Sequence, residues 1–447
     1  MPTTKKKGDG AAALMDAPEG LAPGSTGDDV ELLQNYLTRF GYLASPPAKD
    51  DGRKAELDLR PVATPGEFDD ATEEAIRQFQ TMAGLPATGE LDAETREKMQ
   101  QPRCGNPDIT PVSNPTILTL VDEDVAGFVA TGGRWPTRNL RYGFQELGLD
   151  LPAASVRQAI HQAFSTWSGW TGLSFREVPI ASGPEIIIRF VSGNHGDGAT
   201  NAFDGAGGVL AHAFFPPVPP NGPTPIQGDT HFDEAETWTI TVPTGAGTFD
   251  LTTVAIHEFG HALGLNHSPV VGSVMQAFYG GPRRVLHGDD IAGITSIYGG
   301  YSIAEASWVH GTAVNVELPE NIESMRHFGF FTRLVGKPNT QNWFHFAVPT
   351  PVIQANDRKV VGPCMLRFQT GGASAVVRDV HIYDGEVRLV AHDSVNLSGS
   401  QPFTRFGVAQ APEVLWGVGI SIGVTYGAGT AAQRTIDLIS AGCDFQP

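Results

Sequence analysis

Three of the chain's 13 histidines lie within eleven residues, in the stretch HEFGHALGLNH that runs from His257 to His267. His257 and His261 are four residues apart, so a helix would place them on one face, roughly 6 Å apart along its axis. Gly264 allows a sharp turn that ends the helix and lets the chain bring His267 back. The stretch therefore predicts a helix and a turn that direct three imidazoles at one small cation, with Glu258 beside them.

This donor set favours catalytic zinc chemistry. Zn²⁺ held by three protein ligands keeps a fourth position for water and lowers the pKa of that water toward roughly 7. Glu258 would take the proton of this water and pass it to the leaving amine. A bare HExxH can occur in a helix by chance, but H-E-x-x-H-x-x-G-x-x-H is far more specific, and Met275 follows it within SVM. The pattern resembles the metzincins, in which such a methionine has a structural place under the metal.

A second stretch, PRCGNPD at residues 102–108, resembles the cysteine switch of the matrixins, the matrix metalloproteinase family. The resemblance implies that Cys104 binds the catalytic zinc as a thiolate and displaces its water, while Arg103 pairs with Asp108. A nearby cation favours the thiolate, and Arg103 is the candidate. The resemblance also implies an α+β catalytic domain over residues 130–300, with helices packed on a twisted, mostly parallel sheet.

Further metal sites follow from the same resemblance. Two stretches, HGDGATNAFDGAGGVLAHAFFPP and GDTHFDEAETW, look like matrixin segments that hold structural ions. A closed structural zinc site would contain His195, Asp197, His212 and His231. A calcium site would contain the side chains of Asp204, Asp233 and Glu236 and the backbone oxygens of Gly205, Gly207 and Val209. A second calcium site would contain Glu185 and Asp229, although the family usually has aspartate where this chain has Glu185.

Other residues separate this chain from its nearest families. The wall of the matrixin specificity pocket often reads Pro-x-Tyr, whereas this chain keeps Tyr279 but has Ala277 in place of the proline. Astacins are a narrower alternative among proteases, but Ser268 follows His267 where an astacin would have glutamate, and PRCGNPD argues against them too. Residues 301–447 have no four-fold repeat of the hemopexin type, so collagen-type recognition is not carried over.

The length of 447 residues predicts two to four domains. Gly-, Ala-, Pro- and Lys-rich residues 1–24 predict a disordered tail. Helical spacing between residues 25 and 104 predicts a three-helix pro-domain, for which Asp28 or Asp29 is one candidate N-cap and Asp92 another. FDDATEEAIRQFQTMAGLPATGELDAET in this region resembles peptidoglycan-binding modules. Residues 105–129 predict a linker or activation region.

Short apolar runs separated by turn residues predict an all-β sandwich over residues 301–447. It resembles an uncharacterised module of microbial proteins, which supplies no function. The side chains of Trp308, His310, Trp343, His345 and Trp416 could line a ligand face, although core positions for the aromatic residues and a hydrogen-bonded histidine are the favoured interpretation. The chain has three cysteines, so at least one is free or metal-bound, and Cys364 and Cys443 could pair.

The net charge and the hydropathy of the chain limit the classes of partner that it can bind. The formal net charge of −19 argues against a nucleic-acid partner, and no apolar run is long enough to cross a membrane. No apolar segment of a standard signal peptide follows the basic start, so the export route stays open, although the family resemblance implies an extracellular protein. We expect a monomer that acts on a protein or peptide substrate and that contacts polysaccharide or cell wall through its accessory domains.

The leading hypothesis is a zinc-dependent metalloendopeptidase with one catalytic zinc, one structural zinc and calcium. It would hydrolyse peptide bonds by Glu258-assisted attack of a zinc-bound water and would be kept latent by Cys104. The alternative is a glycan- or cell-wall-binding multidomain protein whose metzincin domain is a non-catalytic scaffold. The presence of Glu258 argues against the alternative, because a scaffold has no need of the general base.

Overall fold

The computed structural model describes residues 20–44, 60–110, 128–219, 221–222 and 224–447. Most of the predicted tail at residues 1–24, and residues 111–127 of the predicted linker, lie outside the described residues. The described chain has a helical N-terminal module, a middle α+β domain and a C-terminal all-β domain, as predicted.

The N-terminal module consists of three helices around an aromatic core. They are α1 (Asp28–Arg39), α2 (Asp70–Met82) and α3 (Ala93–Met99). The carboxylate of Asp92 accepts from the backbone N–H of Thr95 at 2.8 Å, so the predicted cap of α3 is confirmed. The cap predicted for α1 was wrong. Its N-cap is Gly27, whose φ of 115° suits glycine alone. The two aspartates lie in the first turn instead, where their negative charges interact favourably with the positive end of the helix dipole.

The middle domain is built on one six-stranded sheet. Its strands are β1 (Arg103–Cys104), β2 (Asn139–Phe144), β3 (Ser174–Glu177), β4 (Ile186–Val191), β5 (Val209–Ala213) and β6 (Thr230–Asp233). They lie in the order β1-β5-β6-β4-β2-β3, and only the β5–β6 pairing is antiparallel. The predicted mostly parallel sheet is therefore confirmed. Its edge strand, β1, comes from the PRCGNPD stretch rather than from residues 130–300.

Two long helices pack on this sheet and on each other. The helices of the domain are α4 (Ala153–Ser168), α5 (Leu251–Ala262) and α6 (Gly288–Tyr298), and two short strands, β7 (Trp238–Thr239) and β8 (Phe249–Asp250), precede α5. The rings of Phe164 and Phe259 stack with centroids 3.8 Å apart, and the Trp167 indole donates to the carbonyl of Ile256 at 2.9 Å. These contacts fix the helix that carries His257 and His261.

Two antiparallel sheets form the C-terminal domain and share one apolar core. One sheet contains β10 (Asn315–Val316), β13 (Thr340–Ala347), β20 (Val418–Tyr426), β17 (Ala375–Asp384) and β18 (Val387–His392). The other contains β11 (Ile322–His327), β12 (Thr332–Gly336), β21 (Thr435–Gln446), β16 (Val360–Thr370) and β19 (Ser400–Phe406), with β9 (Glu305–His310) paired to β21. A short hairpin contains β14 (Ile353–Gln354) and β15 (Asp357–Arg358).

Two predictions for this sandwich concern particular side chains. Cys364 and Cys443 lie opposite each other on neighbouring strands, and both are buried free thiols. The favoured core position was wrong for two of the aromatic residues, because Trp308 is 38% exposed and Trp416 is 70% exposed. Within the described part of the chain, no helix has the length and apolarity needed to cross a bilayer.

The Phe164–Phe259 stack gives a stability prediction. Phe164 is fully buried, so Phe164→Ala removes buried apolar surface, leaves a cavity, and should lower the free energy of unfolding by about 3–5 kcal/mol. Thermal unfolding followed by tryptophan fluorescence measures the effect. Leu149→Ala, at a position 87% exposed, is the control and should unfold like the parent protein. Equal melting temperatures for the two variants would contradict the packing described.

Candidate metal and hydrolytic centre

Four donor atoms converge beside the end of α5. The Nε2 atom of His261 lies 3.1 Å from that of His257, 3.2 Å from that of His267 and 3.4 Å from the sulfur of Cys104. All four donor atoms lie within 4.8 Å of one another, and all four residues are buried. A tetrahedral zinc ion with bonds of about 2.0–2.3 Å separates its ligands by about 3.3–3.7 Å, so the set fits zinc.

Each imidazole is oriented by a bond on its other nitrogen. The Nδ1 atoms of His257 and His261 donate to the carbonyls of Val274 and Leu265, at 2.7 and 2.8 Å. The Nδ1 of His267 lies 2.6 Å from the carboxylate of Asp108. These bonds leave every Nε2 free to point at a metal, the arrangement that orients ligands in zinc sites.

The protonation states also suit metal binding. Burial, and then the neighbouring His267, lower the pKa of His257 to about 3. Burial likewise lowers the pKa of His261 and of His267. All three imidazoles are therefore neutral at physiological pH, which is the form that ligates a cation.

Glu258 lies against this cluster without joining it. Its side chain is fully buried, one carboxylate oxygen lies 3.6 Å from the Cys104 sulfur, and the other has no hydrogen-bond partner. Burial raises the pKa of Glu258 to about 8. A carboxylate so placed can hold or release a proton at the position that the cysteine sulfur occupies.

Met275 forms the floor of the site. Its sulfur packs against Gly260 of α5, where an added Cβ would come within 2.3 Å of it. Asp290 fixes the preceding turn, because its carboxylate accepts from the backbone N–H of Val274 and of Met275, at 3.0 and 3.3 Å, and from the hydroxyl of Ser273. The importance of Asp290 was missed from the sequence, although it lies in HGDD, which directly begins the closing helix.

Arg103 favours the thiolate of Cys104 as predicted, but only weakly. Its guanidinium forms a buried ion pair with Asp108 at 2.6 Å and lies 3.6 Å from the centre of the Phe40 ring. Burial, and then the charge of Glu258, raise the pKa of the Cys104 thiol well above its usual value. A thiolate at Cys104 therefore requires a cation among the histidines in addition to Arg103.

The second predicted zinc set also converges. One carboxylate oxygen of Asp197 lies 3.0 Å from His195 Nε2, 3.2 Å from His212 Nε2 and 2.6 Å from His231 Nδ1. The four donor atoms again lie within 4.8 Å of one another. Burial lowers the pKa of His231 to about 3, and its remaining ring nitrogen has no partner. Three imidazoles and one carboxylate suit a closed tetrahedral zinc site.

The predicted calcium residues are placed less tightly. Among the described residues, only the two zinc-like groups have all donor atoms within 4.8 Å, so the acidic set is more open. One buried oxygen of Asp204 and one of Asp233 have no hydrogen-bond partner. Burial, and then the charges of the two aspartates, raise the pKa of Glu236 to about 7, so a cation would relieve this cluster.

The remaining predicted calcium positions differ from one another. Gly205 and Gly207 adopt φ values of 88° and 87°, and Val209 begins β5 and donates its N–H to Asp204 at 2.8 Å. In the second predicted site, the carboxylate of Glu185 forms an ion pair with Arg141 at 2.7 Å, which would compete with a cation. Asp229 accepts from the backbone N–H of Ile187 at 3.2 Å.

The cleft beside the histidines is lined by the chain that follows the Met275 turn. Its wall includes Ala277, Tyr279 and Arg283. The Tyr279 hydroxyl accepts from the backbone N–H of Asp250 at 3.0 Å, so the predicted pocket residue is anchored to the start of α5. Residues 102–105 fill this cleft, and the cavity left has a volume of only about 30 Å³, which is room for a water or two and not for a peptide.

Comparison with known families agrees with this geometry. Residues 134–299 match the matrixin family model. The middle domain is thus similar to the matrixin family over its helices and over all of its sheet except β1. Residues 26–99 match a peptidoglycan-binding domain, and residues 303–447 match a family of unknown function, DUF6623. The matrixin match and the two histidine-rich donor groups agree with the predicted zinc metalloendopeptidase.

Several curated proteins resemble a part of this chain. A hatching enzyme of Paracentrotus lividus is 41% identical over 278 residues, which are 61% of this chain and 39% of the relative. Matrix metalloproteinase-25 of Homo sapiens is 38% identical over 63% of this chain and 47% of the relative. Interstitial collagenase of Equus caballus is 41% identical over 61% of this chain and 50% of the relative. The matched part thus spans half the length of these relatives or less.

The two histidine-rich groups predict the metal content of the protein. Purified full-length protein, dialysed against metal-free buffer, should retain two zinc ions per chain, one for each group. His212→Ala removes a buried ligand of the second group and should reduce the content to one, as measured by inductively coupled plasma mass spectrometry. His310→Ala, at an exposed histidine of the sandwich, is the matched control. Equal zinc content in the two variants would contradict a second zinc site.

Proposed function

We propose that this protein is a latent zinc endopeptidase in which Cys104 occupies the catalytic metal site. One observation carries the proposal: the Cys104 sulfur and three histidine Nε2 atoms lie within 4.8 Å of one another, and the buried carboxylate of Glu258 lies 3.6 Å from that sulfur. A thiol in this position stands where a water would have to be for hydrolysis.

The catalytic roles follow from position. His257, His261 and His267 would hold the ion, which when bound supplies Lewis acidity toward the scissile carbonyl. Glu258 would act as the general base and then as the acid that protonates the leaving amine. Its fully buried carboxylate on the rigid helix α5 supports this role, because a general base must be held within hydrogen-bond reach of its proton.

Main-chain contacts of the blocking segment indicate how a substrate would bind. The N–H of Gly105 donates to Ala211 of β5 at 2.8 Å, and the N–H of Cys104 donates to Ala277 of the opposite wall at 2.9 Å. The carbonyl of Pro102 accepts from Tyr279 at 2.9 Å. An extended peptide could use the same groups on β5 and the wall, by strand addition. We therefore propose protein or peptide substrates that bind in extended form.

The helical module supports latency by holding the blocking segment. The Arg103–Asp108 ion pair is buried against the module, where Tyr42 donates to Asp108 at 2.6 Å and Arg103 donates to Tyr36 at 3.2 Å. Burial alone would raise the pKa of Asp108, but Arg103, and then His267 and Tyr42, lower it to about 2, so the pair is ionised. The module also shares its apolar core with Phe278 of the cleft wall.

These contacts favour a pro-domain over a free glycan-binding module. The face of the helical module that meets the middle domain is covered by it, and α5 retains the general base that a scaffold has no need of. The group formed by His195, Asp197, His212 and His231 would then hold a structural zinc. Asp204, Asp233 and Glu236, with backbone oxygens of Gly205, Gly207 and Val209, would hold calcium.

Cys104→Ser tests latency directly. Serine is a far weaker zinc ligand than a thiolate, so the full-length variant should cleave a generic peptide library without processing. The unprocessed parent should show at most a few per cent of that rate. Cys443→Ser, at a buried thiol of the sandwich, is the matched control and should remain latent.

A double variant shows whether that activity is the proposed one. Cys104→Ser/Glu258→Gln should lose about 10²–10⁴-fold in kcat while keeping its zinc, because only the base is removed. Cleavage that persists in the double variant would contradict the role of Glu258. A zinc-loaded Cys104→Ser protein that cleaves nothing in the library would contradict the proposed function.

A further inference from the structure

The wall of the cleft is also packed against the C-terminal sandwich. We call residues 276–287 the cleft-wall loop. Tyr279 and Arg283 of this loop line the cleft. Two residues further on, Val285 packs against the core of the sandwich, whereas Leu286 packs against the core of the matrixin domain. Successive side chains of the loop thus enter the cores of two different domains.

Arg284, between these anchors, joins three parts of the structure. Its guanidinium makes a two-fold contact with the carboxylate of Asp250, at 2.6 and 2.9 Å. It also donates to the carbonyl of Ile240 at 2.8 Å and to the carbonyl of Asp393, in the sandwich, at 3.0 Å. Arg284 and Asp250 are 3% and 0% exposed, so their ion pair is shielded from water. A buried arginine fixed by four such bonds has one orientation.

Asp250 carries this link to the catalytic helix. It is the N-cap of α5, and its carboxylate accepts from the backbone N–H of Thr253 at 3.1 Å. Its own N–H donates to the hydroxyl of Tyr279. One continuous set of buried hydrogen bonds therefore connects the sandwich, the cleft-wall loop and the start of the helix that bears His257.

Asp393 is fixed equally firmly on the sandwich side. Its carboxylate accepts from Gln158 of α4 at 2.6 Å and lies 2.7 Å from Nε2 of His381. Its carbonyl also accepts from Gln162 at 2.9 Å. The next residue, Ser394, has a φ of 55°, a left-handed conformation that non-glycine residues rarely adopt. The turn after β18 therefore directs the Asp393 carbonyl at Arg284 in a backbone conformation that the surrounding bonds must maintain.

Other residues of the interface also bring the two domains into close contact. Ala409 of the sandwich lies in the core of the matrixin domain, and its carbonyl accepts from the N–H of Phe175 at 2.7 Å. Gly407 approaches α4 so closely that an added Cβ would come within 2.1 Å of the Ser165 carbonyl. The sandwich is therefore not a tethered appendage, and its position bears on the cleft.

We propose that the C-terminal sandwich sets the shape of the cleft wall, and hence which peptide side chains the cleft accepts, through Asp393 and the positioning residue Arg284. This inference rests on the proposed peptidase function for its consequence for substrates, but its structural part can be tested without activity. Loosening Asp393 should free Arg284 and Val285, and then the loop that carries Tyr279 and Arg283.

Hydrogen exchange of the full-length protein tests the structural part. Asp393→Ala removes the bonds to Gln158 and His381 that fix the turn, so amides of residues 276–287 should exchange about tenfold faster. Asp437→Ala removes an aspartate of the same sandwich that pairs with Arg333 away from this interface, and it should leave the loop unchanged. Equal protection of the loop in both variants overturns the proposal.

Gln158→Ala provides a milder second variant in case Asp393→Ala does not fold. It removes one hydrogen bond to Asp393 from a half-buried position on α4. It should raise exchange in the same loop by a smaller factor than Asp393→Ala. Unchanged exchange in a folded Gln158→Ala protein, together with an unfolded Asp393→Ala protein, also overturns the proposal.

Peptide profiling in the Cys104→Ser background tests the consequence for substrates. Asp393→Ala should change the ratio of kcat/KM between peptides that differ in one side chain next to the scissile bond by about 3- to 10-fold, mainly through KM, because a displaced wall alters binding more than chemistry. If the loop exchanges faster but the kcat/KM ratios between peptides are unchanged, the claim about substrate selectivity is overturned. Absence of all cleavage by the Cys104→Ser parent instead counts against the proposed function, and exchange still decides the structural part.

Discussion

Four donor atoms from two distant parts of the chain form one cluster, and the rest of the structure is arranged around this cluster. Helix α5 supplies two histidines in register, the turn at Gly264 returns the third, and Cys104 arrives from the N-terminal side as part of the edge strand β1. Gly264 has a φ of 107°, and an added Cβ would come within 2.5 Å of the Gly133 carbonyl, so only glycine allows this return. Without a cation, three neutral imidazoles and a buried thiol have little reason to converge.

Latency in this account depends on buried polar contacts rather than on the sulfur alone. The Arg103–Asp108 pair is 2% exposed or less at both side chains. Removing one partner of such a pair leaves an unpaired buried charge, which costs about 3–5 kcal/mol. Asp108 also orients His267 through its Nδ1. Loss of the segment would therefore free a coordination position and remove an orienting partner of one ligand at the same time.

The sequence allowed much of the site to be predicted because its chemistry is encoded in short spacings. Each motif has a physical reason to belong to a metal site. The motifs are the histidines at i and i+4, the following glycine, PRCGNPD and Met275. The two zinc-like groups therefore converge as the spacing and the resemblance predicted. The domain types could also be predicted, because the spacing of apolar residues changes along the chain from helical periodicity to the alternation typical of strands.

Contacts that depend on tertiary packing could not be read in this way. Arg284, Asp250 and Asp393 are far apart in the sequence and have no motif, so nothing local marks them as one network. The effect expected of Arg103 on the thiol is small, because its guanidinium is paired with Asp108 and burial dominates the pKa of Cys104. The exposure of Trp308 depends on which face of its sheet is covered, which a short strand does not specify, and Trp416 lies in the bend before β20 rather than in a strand.

X-ray absorption at the zinc K-edge tests the central claim most directly. A protein with His212→Ala, which should keep only the zinc between Cys104 and the three histidines, isolates the signal of that site. The account predicts one sulfur scatterer at about 2.3 Å and three nitrogen scatterers at about 2.0 Å in the full-length protein. The sulfur should be replaced by a light atom once the N-terminal segment is removed. A shell of light atoms alone in the unprocessed protein would contradict the account.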